Sequence, residues 1–254
     1  MIQIKRLIPN LLTAGNLVGG ILAIIFSITG KIEWAPYCIF TSAIFDFLDG
    51  FVARLLKVQS ELGKQLDSLA DMVTFGVAPG IMVMVMLSSW LPSQHSFSFL
   101  SFENNTELMG FGFIIPVFAL FRLAKFNLDT RQTSSFIGLP TPAMTLFFAA
   151  IPILVISGSQ SDVVWEQNLA SILINPYFLI TSTVLLSIMM VVELPLFALK
   201  FKGFKWKGNQ LRFIFLTISI GLFATLFFWS IPIIIILYLF LSIINNLIHK
   251  TNEI

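Results

Sequence analysis

Charge is what this sequence has least of. Only 11% of its 254 residues are Asp, Glu, Lys or Arg, against about 25% in an average soluble domain. That is too little polar surface to coat a water-facing globule. Disorder, collagen and coiled coil are excluded by the same composition, since each needs a polar or strictly repeating chain. Cysteine is all but missing: the single Cys38 rules out a disulfide scaffold and carries no information about redox compartment. Nor is there an excess of one sign, for a net charge of +2 gives no electrostatic footprint for nucleic acid. Internal repeats, low-complexity linkers and any mark of a second soluble domain are also absent. What fills the space is apolar: 57% hydrophobic residues, including 27 Phe. The chain reads as an all-α, polytopic integral membrane protein, one membrane-embedded domain over 1–254.

A membrane-spanning helix needs roughly 20 mostly apolar residues. Apolar runs between charged clusters give eight, near 9–29, 34–56, 66–90, 109–128, 140–157, 174–199, 211–229 and 231–248. The last two are separated by little more than Trp229-Ser230-Ile231-Pro232, where a hairpin is expected. The first follows Lys5 and Arg6 and lacks a small-residue cleavage site, so it is expected to be an uncleaved helix rather than a signal peptide. On this scheme fourteen of the fifteen Lys and Arg fall on one side and only Lys31 on the other. Lys and Arg accumulate on the cytoplasmic side of membrane proteins. Both termini and the links after helices 2, 4 and 6 are therefore expected in the cytoplasm, with external loops around 91–108 and 158–168.

Four aspartates sit where an apolar segment should exclude them, in IFDFLDGFVARLLKVQSELGKQLDSLADMVTFG. Asp46 and Asp49 are at i, i+3 near the end of helix 2, and Asp67 and Asp71 at i, i+4 at the start of helix 3. Both spacings put a pair on one helix face. An Asp at the centre of a span costs roughly 2.5–3.5 kcal/mol, less toward the interface. A short hairpin brings the two faces together, and four gathered carboxylates repel unless a cation neutralises them. Oxygen ligands alone suit a hard divalent ion, Mg²⁺ or Mn²⁺, better than zinc. His95 and His249 fall outside the membrane core and far from the aspartates, and Cys38 reads as a small packed residue of helix 2. Gly50, Ala53 and Gly63 would let a ligand or helix approach closely. Arg54 and Ser60 add a cation and a hydroxyl suited to phosphate oxygens, although Arg54 alone could equally be a topological anchor.

Together these residues read D-x2-D-G-x2-A-R-x8-G-x3-D-x3-D from Asp46 to Asp71. This resembles the signature of the CDP-alcohol phosphatidyltransferases at all eight fixed positions. Four further stretches resemble the serine-transferring branch of that family: IPNLLTAGNLVGG at 8–20, ELGKQLDSLADMVTFGVAPG at 61–80, FRLAKFN at 121–127 and FIGLPTPA at 136–143, with a weaker match in ELPLFALKFK at 193–202. One departure is Lys125, where the branch usually has Arg; the charge is kept but the bidentate fork is lost.

The resemblance implies that Asp46, Asp49, Asp67 and Asp71 bind a pair of divalent metals and that Asp71 also takes the proton of the incoming hydroxyl. It implies contacts from Asp49, Gly50, Ala53, Arg54 and Ser60 to the CDP portion of CDP-diacylglycerol. It further implies transfer of the phosphatidyl group to L-serine, an active site at the cytoplasmic ends of helices 1–4, a homodimer, and a place in the plasma or inner membrane of a prokaryote. Asn10 and Thr13 face the nucleotide on this reading; the alternative for Asn10 is a helix N-cap. Gly15 and Gly19 read as helix-packing residues. Arg122 is either a topological anchor or, with Lys125, part of a pocket for the serine carboxylate. The run Gly138-Leu139-Pro140-Thr141-Pro142 reads as a turn entering helix 5 that could shape that pocket. Two alternatives remain open: the same transfer to another alcohol, chiefly glycerol 3-phosphate, and a cation- or proton-coupled transporter, since intramembrane carboxylates commonly mark ion pathways.

Overall fold

The computed structural model describes residues 2–88, 106–129, 135–197, 206 and 209–251. Within them the chain is helical except for one small ribbon. Helix α1 (Ile2–Ile28) runs unbroken through Pro9. Gly30, at φ +75°, and a 3₁₀ turn at Ile32–Trp34 reverse the chain into α2 (Ala35–Leu55), with Pro36 in its first turn, where the missing N–H costs nothing. The two helices pack closely because α1 offers glycines: a Cβ on Gly15 would press on the Phe45 ring, and one on Gly19 would collide with Ser42 Oγ. These are the packing glycines expected from their spacing.

Helix α3 (Glu61–Asp71) starts at Ser60, whose Oγ accepts the Gly63 N–H at 3.1 Å. It continues through a wide π turn, Met72–Val77, into α4 (Ala78–Ser88). Pro79 has no N–H for the carbonyl of Phe75, four residues back. That carbonyl instead accepts from Thr145 Oγ1 at 2.8 Å, so the bulge is satisfied by a neighbouring helix.

Helices α5 (Thr106–Met109), α6 (Ile114–Leu128), α7 (Thr141–Ser159), α8 (Val164–Leu173) and α9 (Pro176–Val191) follow, with 65° between the last two. Phe75, Met82, Ile115, Met144, Phe148 and Leu179 are fully buried where α4, α6, α7 and α9 meet. Strands β1 (Ser135–Ile137) and β2 (Pro195–Phe197) pair antiparallel, Phe136 opposite Leu196. Beyond them lie α10 (Gln210–Leu226) and α11 (Ser230–Thr251). Phe215 and Tyr238 have ring centroids 5.7 Å apart, whereas a continuous helix would separate them by about 35 Å. The two helices therefore form the expected hairpin.

Five helical stretches are long and apolar enough to cross a membrane, or six if α8 and α9 form one broken span. Large apolar side chains such as Phe47 and Leu55 of α2, both 67% exposed, face outward as a lipid-facing surface does. Three expectations need correction. The sixth segment, read as 174–199, ends as a helix at Val191, because Pro195 cannot continue it and the chain turns extended to pair with β1. The loop expected over 158–168 is shorter, since α7 runs to Ser159 and α8 begins at Val164. Asn10 is no N-cap: α1 has already begun eight residues before it. His95, Arg131 and most of the 91–108 and 200–207 segments lie outside the described residues.

Candidate active site

Because α1 and α2 are antiparallel and α3 lies across the same end, the two aspartate pairs face each other. Carboxylate oxygens of Asp46, Asp49 and Asp67 lie within 4.8 Å of one another. Asp46 also reaches both Asp67 and Asp71. The fourth, Asp71, is 9% exposed and accepts a 3.0 Å hydrogen bond from Asn16 Nδ2 of α1. Asp49, 5% exposed, accepts from the hydroxyl of Thr13, one turn earlier on α1. Helix 1 thus holds one member of each pair.

At about 4 Å, two like charges repel by about 4 kcal/mol at an effective dielectric of 20. Such a group is stable with a cation bound among it. The donor set consists of carboxylate oxygens only, and Asp67 Oδ1 is buried with no hydrogen-bond partner among the described residues. A buried, orphaned oxygen aligned with two more carboxylates fits a hard divalent ion.

Beside the aspartates opens a groove of about 410 Å³ between α1, α2 and the start of α3. All seven residues expected to contact the nucleotide lipid (Asn10, Thr13, Asp49, Gly50, Ala53, Arg54 and Ser60) line it, together with Asp67. A Cβ on Gly50 would meet only the Arg54 guanidinium, at 3.4 Å, so the groove wall there is open rather than packed. Ser60 is also the cap of α3, a role the motif alone does not reveal.

The expected acceptor residues part company. Arg122 is 5% exposed on α6, its guanidinium 5.0 Å from the Phe126 ring centroid, with Nε unpaired. Lys125, one turn on, is exposed and lies 3.9 Å from Glu193. Neither lines the groove. The Gly138–Pro142 turn is present, with Gly138 at φ +76° and its N–H bonded to Leu194 O at 2.9 Å.

Three residues escaped the sequence reading. Arg6 and Lys64 add two cations to the groove, and Lys64 Nζ also donates to Asn127 O at 3.0 Å, tying α3 to the end of α6. Asn16 holds Asp71. A signal for it existed: Asn10, Thr13 and Asn16 recur every three residues, a polar stripe on an apolar helix.

Comparison with known proteins adds a family match and three relatives. A family model described as CDP-alcohol phosphatidyltransferase matches residues 6–197. A CDP-diacylglycerol–serine O-phosphatidyltransferase of Bacillus subtilis (strain 168) is 34% identical over 157 residues, 60% of this chain and 81% of that protein. Proteins of the same name from Helicobacter pylori (strain J99) and Methanocaldococcus jannaschii are 34% and 33% identical over 54% and 58% of this chain. The chain spans about half the length of the Helicobacter protein, 53%, and 61% of the Methanocaldococcus one.

Proposed function

Because the chain belongs to the CDP-alcohol phosphatidyltransferase family, we propose that it transfers the phosphatidyl group of CDP-diacylglycerol to L-serine, giving phosphatidylserine and CMP. The choice of serine follows the names of its relatives. The observation that carries the reading is the convergence of Arg54, Ser60 and the open wall at Gly50 and Ala53 on one groove beside the aspartates.

In this reading the diphosphate lies in the groove, its oxygens held by Arg54, Lys64 and Arg6 as charge-assisted partners. Gly50 and Ala53 let it approach the α2 backbone. The acyl chains stay in lipid along the apolar outer faces of α1 and α2. The serine hydroxyl attacks the lipid-side phosphorus, the bond from that phosphorus to the bridging oxygen breaks, and CMP departs. Asp71 accepts the hydroxyl proton. Two divalent ions, Mg²⁺ or Mn²⁺, held by Asp46, Asp49, Asp67 and Asp71, would supply charge neutralisation for the diphosphate and the leaving CMP. Arg122 pairs with the serine carboxylate. Lys125, exposed and 3.9 Å from Glu193, is peripheral to that pair.

The reading includes eight crossings, cytoplasmic termini and a cytoplasmic groove, on the strength of the one-sided Lys and Arg. It also includes a prokaryotic plasma or inner membrane and a homodimer, which rest on the family resemblance. A transporter would need carboxylates along a path through the bilayer; these four gather at one end of α2 and α3.

One experiment tests the reading. Purified protein is given CDP-diacylglycerol and each alcohol in turn, and CMP release is followed with and without a chelator. Serine should drive release, chelation should abolish it, and Mg²⁺ or Mn²⁺ should restore it. Faster release with glycerol 3-phosphate would overturn the acceptor, and full activity in a metal-free preparation would overturn the metal ligands.

A further inference from the structure

Asn16 is fully buried in an apolar helix, where a carboxamide is costly and a leucine would not be. Its Nδ2 reaches Asp71 Oδ1 at 3.0 Å, and its Oδ1 has no hydrogen-bond partner among the described residues. A group retained with one half unsatisfied is retained for the other half. We infer that Asn16 is the positioning residue of Asp71, fixing the carboxylate so that a single oxygen serves the reaction; this rests on the reading of Asp71 as proton acceptor.

The geometry around Asn16 explains why it can do this. Its backbone carbonyl accepts from Ser42 Oγ of α2 at 3.1 Å and from Thr74 Oγ1 of the π turn at 3.0 Å. Three elements are thus pinned to one residue, and Gly20, one turn on, admits Thr74 because a Cβ there would collide with it. The side chain starts from a fixed point and its donor has one acceptor in reach. An amide turned the other way would aim its oxygen at a carboxylate, so the donor orientation is enforced. Apart from Asp46, the amide of Asn16 is the side chain that fixes the Asp71 carboxylate about its last bond. With Oδ1 occupied by the amide, Oδ2 keeps the spare hydrogen-bonding capacity, and it is held in one place relative to Asp46 and Asp67. Thr13 makes the corresponding bond to Asp49. The two are not equivalent: Thr13 lines the groove, whereas Asn16, like Asp71, lies outside its lining, so Asn16 acts through Asp71.

A misplacement of about 1 Å at a reacting group, or loss of a partner that orients a ligand, costs on the order of 10- to 100-fold in rate. The test uses the full-length enzyme, CDP-diacylglycerol and serine, with CMP release as readout. Asn16→Leu, close in size but without the donor, and Asn16→Ala should lower kcat by about 10- to 100-fold. KM for both substrates and the melting temperature should stay close to those of the unaltered enzyme. Ser27→Ala, which removes a buried hydroxyl of the same helix that bonds only Ala23 O, away from the aspartates, should leave kcat near normal. Undiminished kcat in a folded Asn16→Leu enzyme overturns the inference. So does an equal fall in kcat and melting temperature in Asn16→Leu and Ser27→Ala, which would make Asn16 a packing residue only. Absence of CMP release from the unaltered enzyme with every alcohol overturns the reading of the groove itself, and the inference with it.

Discussion

Arg122 carries a charge that has no counter-ion among the described residues. It is buried, stacked over Phe126, and no carboxylate among the described residues reaches its guanidinium. Burying an unpaired cation is expensive, and on the proposed reading its complement is an anion that arrives with the substrate. Arg122→Ala should therefore raise the serine KM by about 10- to 100-fold, the loss of one charge-assisted pair of roughly 1.5–3 kcal/mol. Arg122→Lys should rescue only in part, because a point charge lacks the fork. Separate titrations check this: an unchanged serine KM, or equal losses for serine and CDP-diacylglycerol, would refute the assignment. Gly50 permits the opposite kind of test. Its missing Cβ has room inside the protein, and Ala is the better helix former by about 1 kcal/mol. Gly50→Ala should leave the melting temperature equal or higher while raising the KM for CDP-diacylglycerol about tenfold. A normal KM would remove Gly50 from the binding surface. At this scale the four aspartates were legible because carboxylates are conspicuous in apolar segments, and their spacing alone predicts the facing pairs. Asn16 was not singled out, because a neutral amide in a glycine-rich helix stands out far less, and only the packing of α1 on α3 reveals its partner.

Elements were legible where hydropathy alone decides them. The hairpin of α10 and α11 and the runs forming α1, α6 and α7 follow from apolar length. The end of α9 was not legible in hydropathy, since Leu194, Leu196 and Phe197 are as apolar as the helix before them. What stops the helix is Pro195 and a pairing partner 60 residues earlier in the chain. The π turn between α3 and α4 is also a tertiary product. Pro79 predicts a break, yet Thr145 of α7 takes up the Phe75 carbonyl and the path stays helical. Thr145→Val keeps the shape and deletes the donor. It should destabilise the folded protein by roughly 1–3 kcal/mol, read as a lower melting temperature in detergent. Since Asp71 immediately precedes the turn, kcat should fall as well. An unchanged melting temperature would mean that the carbonyl finds another partner.

For the whole molecule the charges and the helices must describe one path through the bilayer. The groove end carries Arg6, Arg54 and Lys64, and cations collect on the cytoplasmic side. From that end α7 must cross away, and the chain must return before the basic segment at 200–212. Helix α9 has 16 residues, about 24 Å at 1.5 Å per residue, short of a hydrocarbon core of about 30 Å. It returns fully only with help from bent α8 at one end and the extended stretch through β2 at the other. On the proposed path the turn at 160–163 is expected outside and residues 203–209 inside. In a chain with Cys38 replaced by Ala, a single cysteine at Ser161 should react with a membrane-impermeant thiol reagent added to intact cells. A cysteine at Lys205 should react only after the membrane is opened. The turn is exposed on both sides of half-buried Ser161, at Gln160 and Asp162, and Cys38, half-buried in α2, is the one native thiol to remove. Reaction of both positions from the same side would mean that α7 or the α8–α9 pair does not cross. The one-sided cation count would then have to be redrawn from residue 141 onward, with the groove at α1–α3 untouched by the revision.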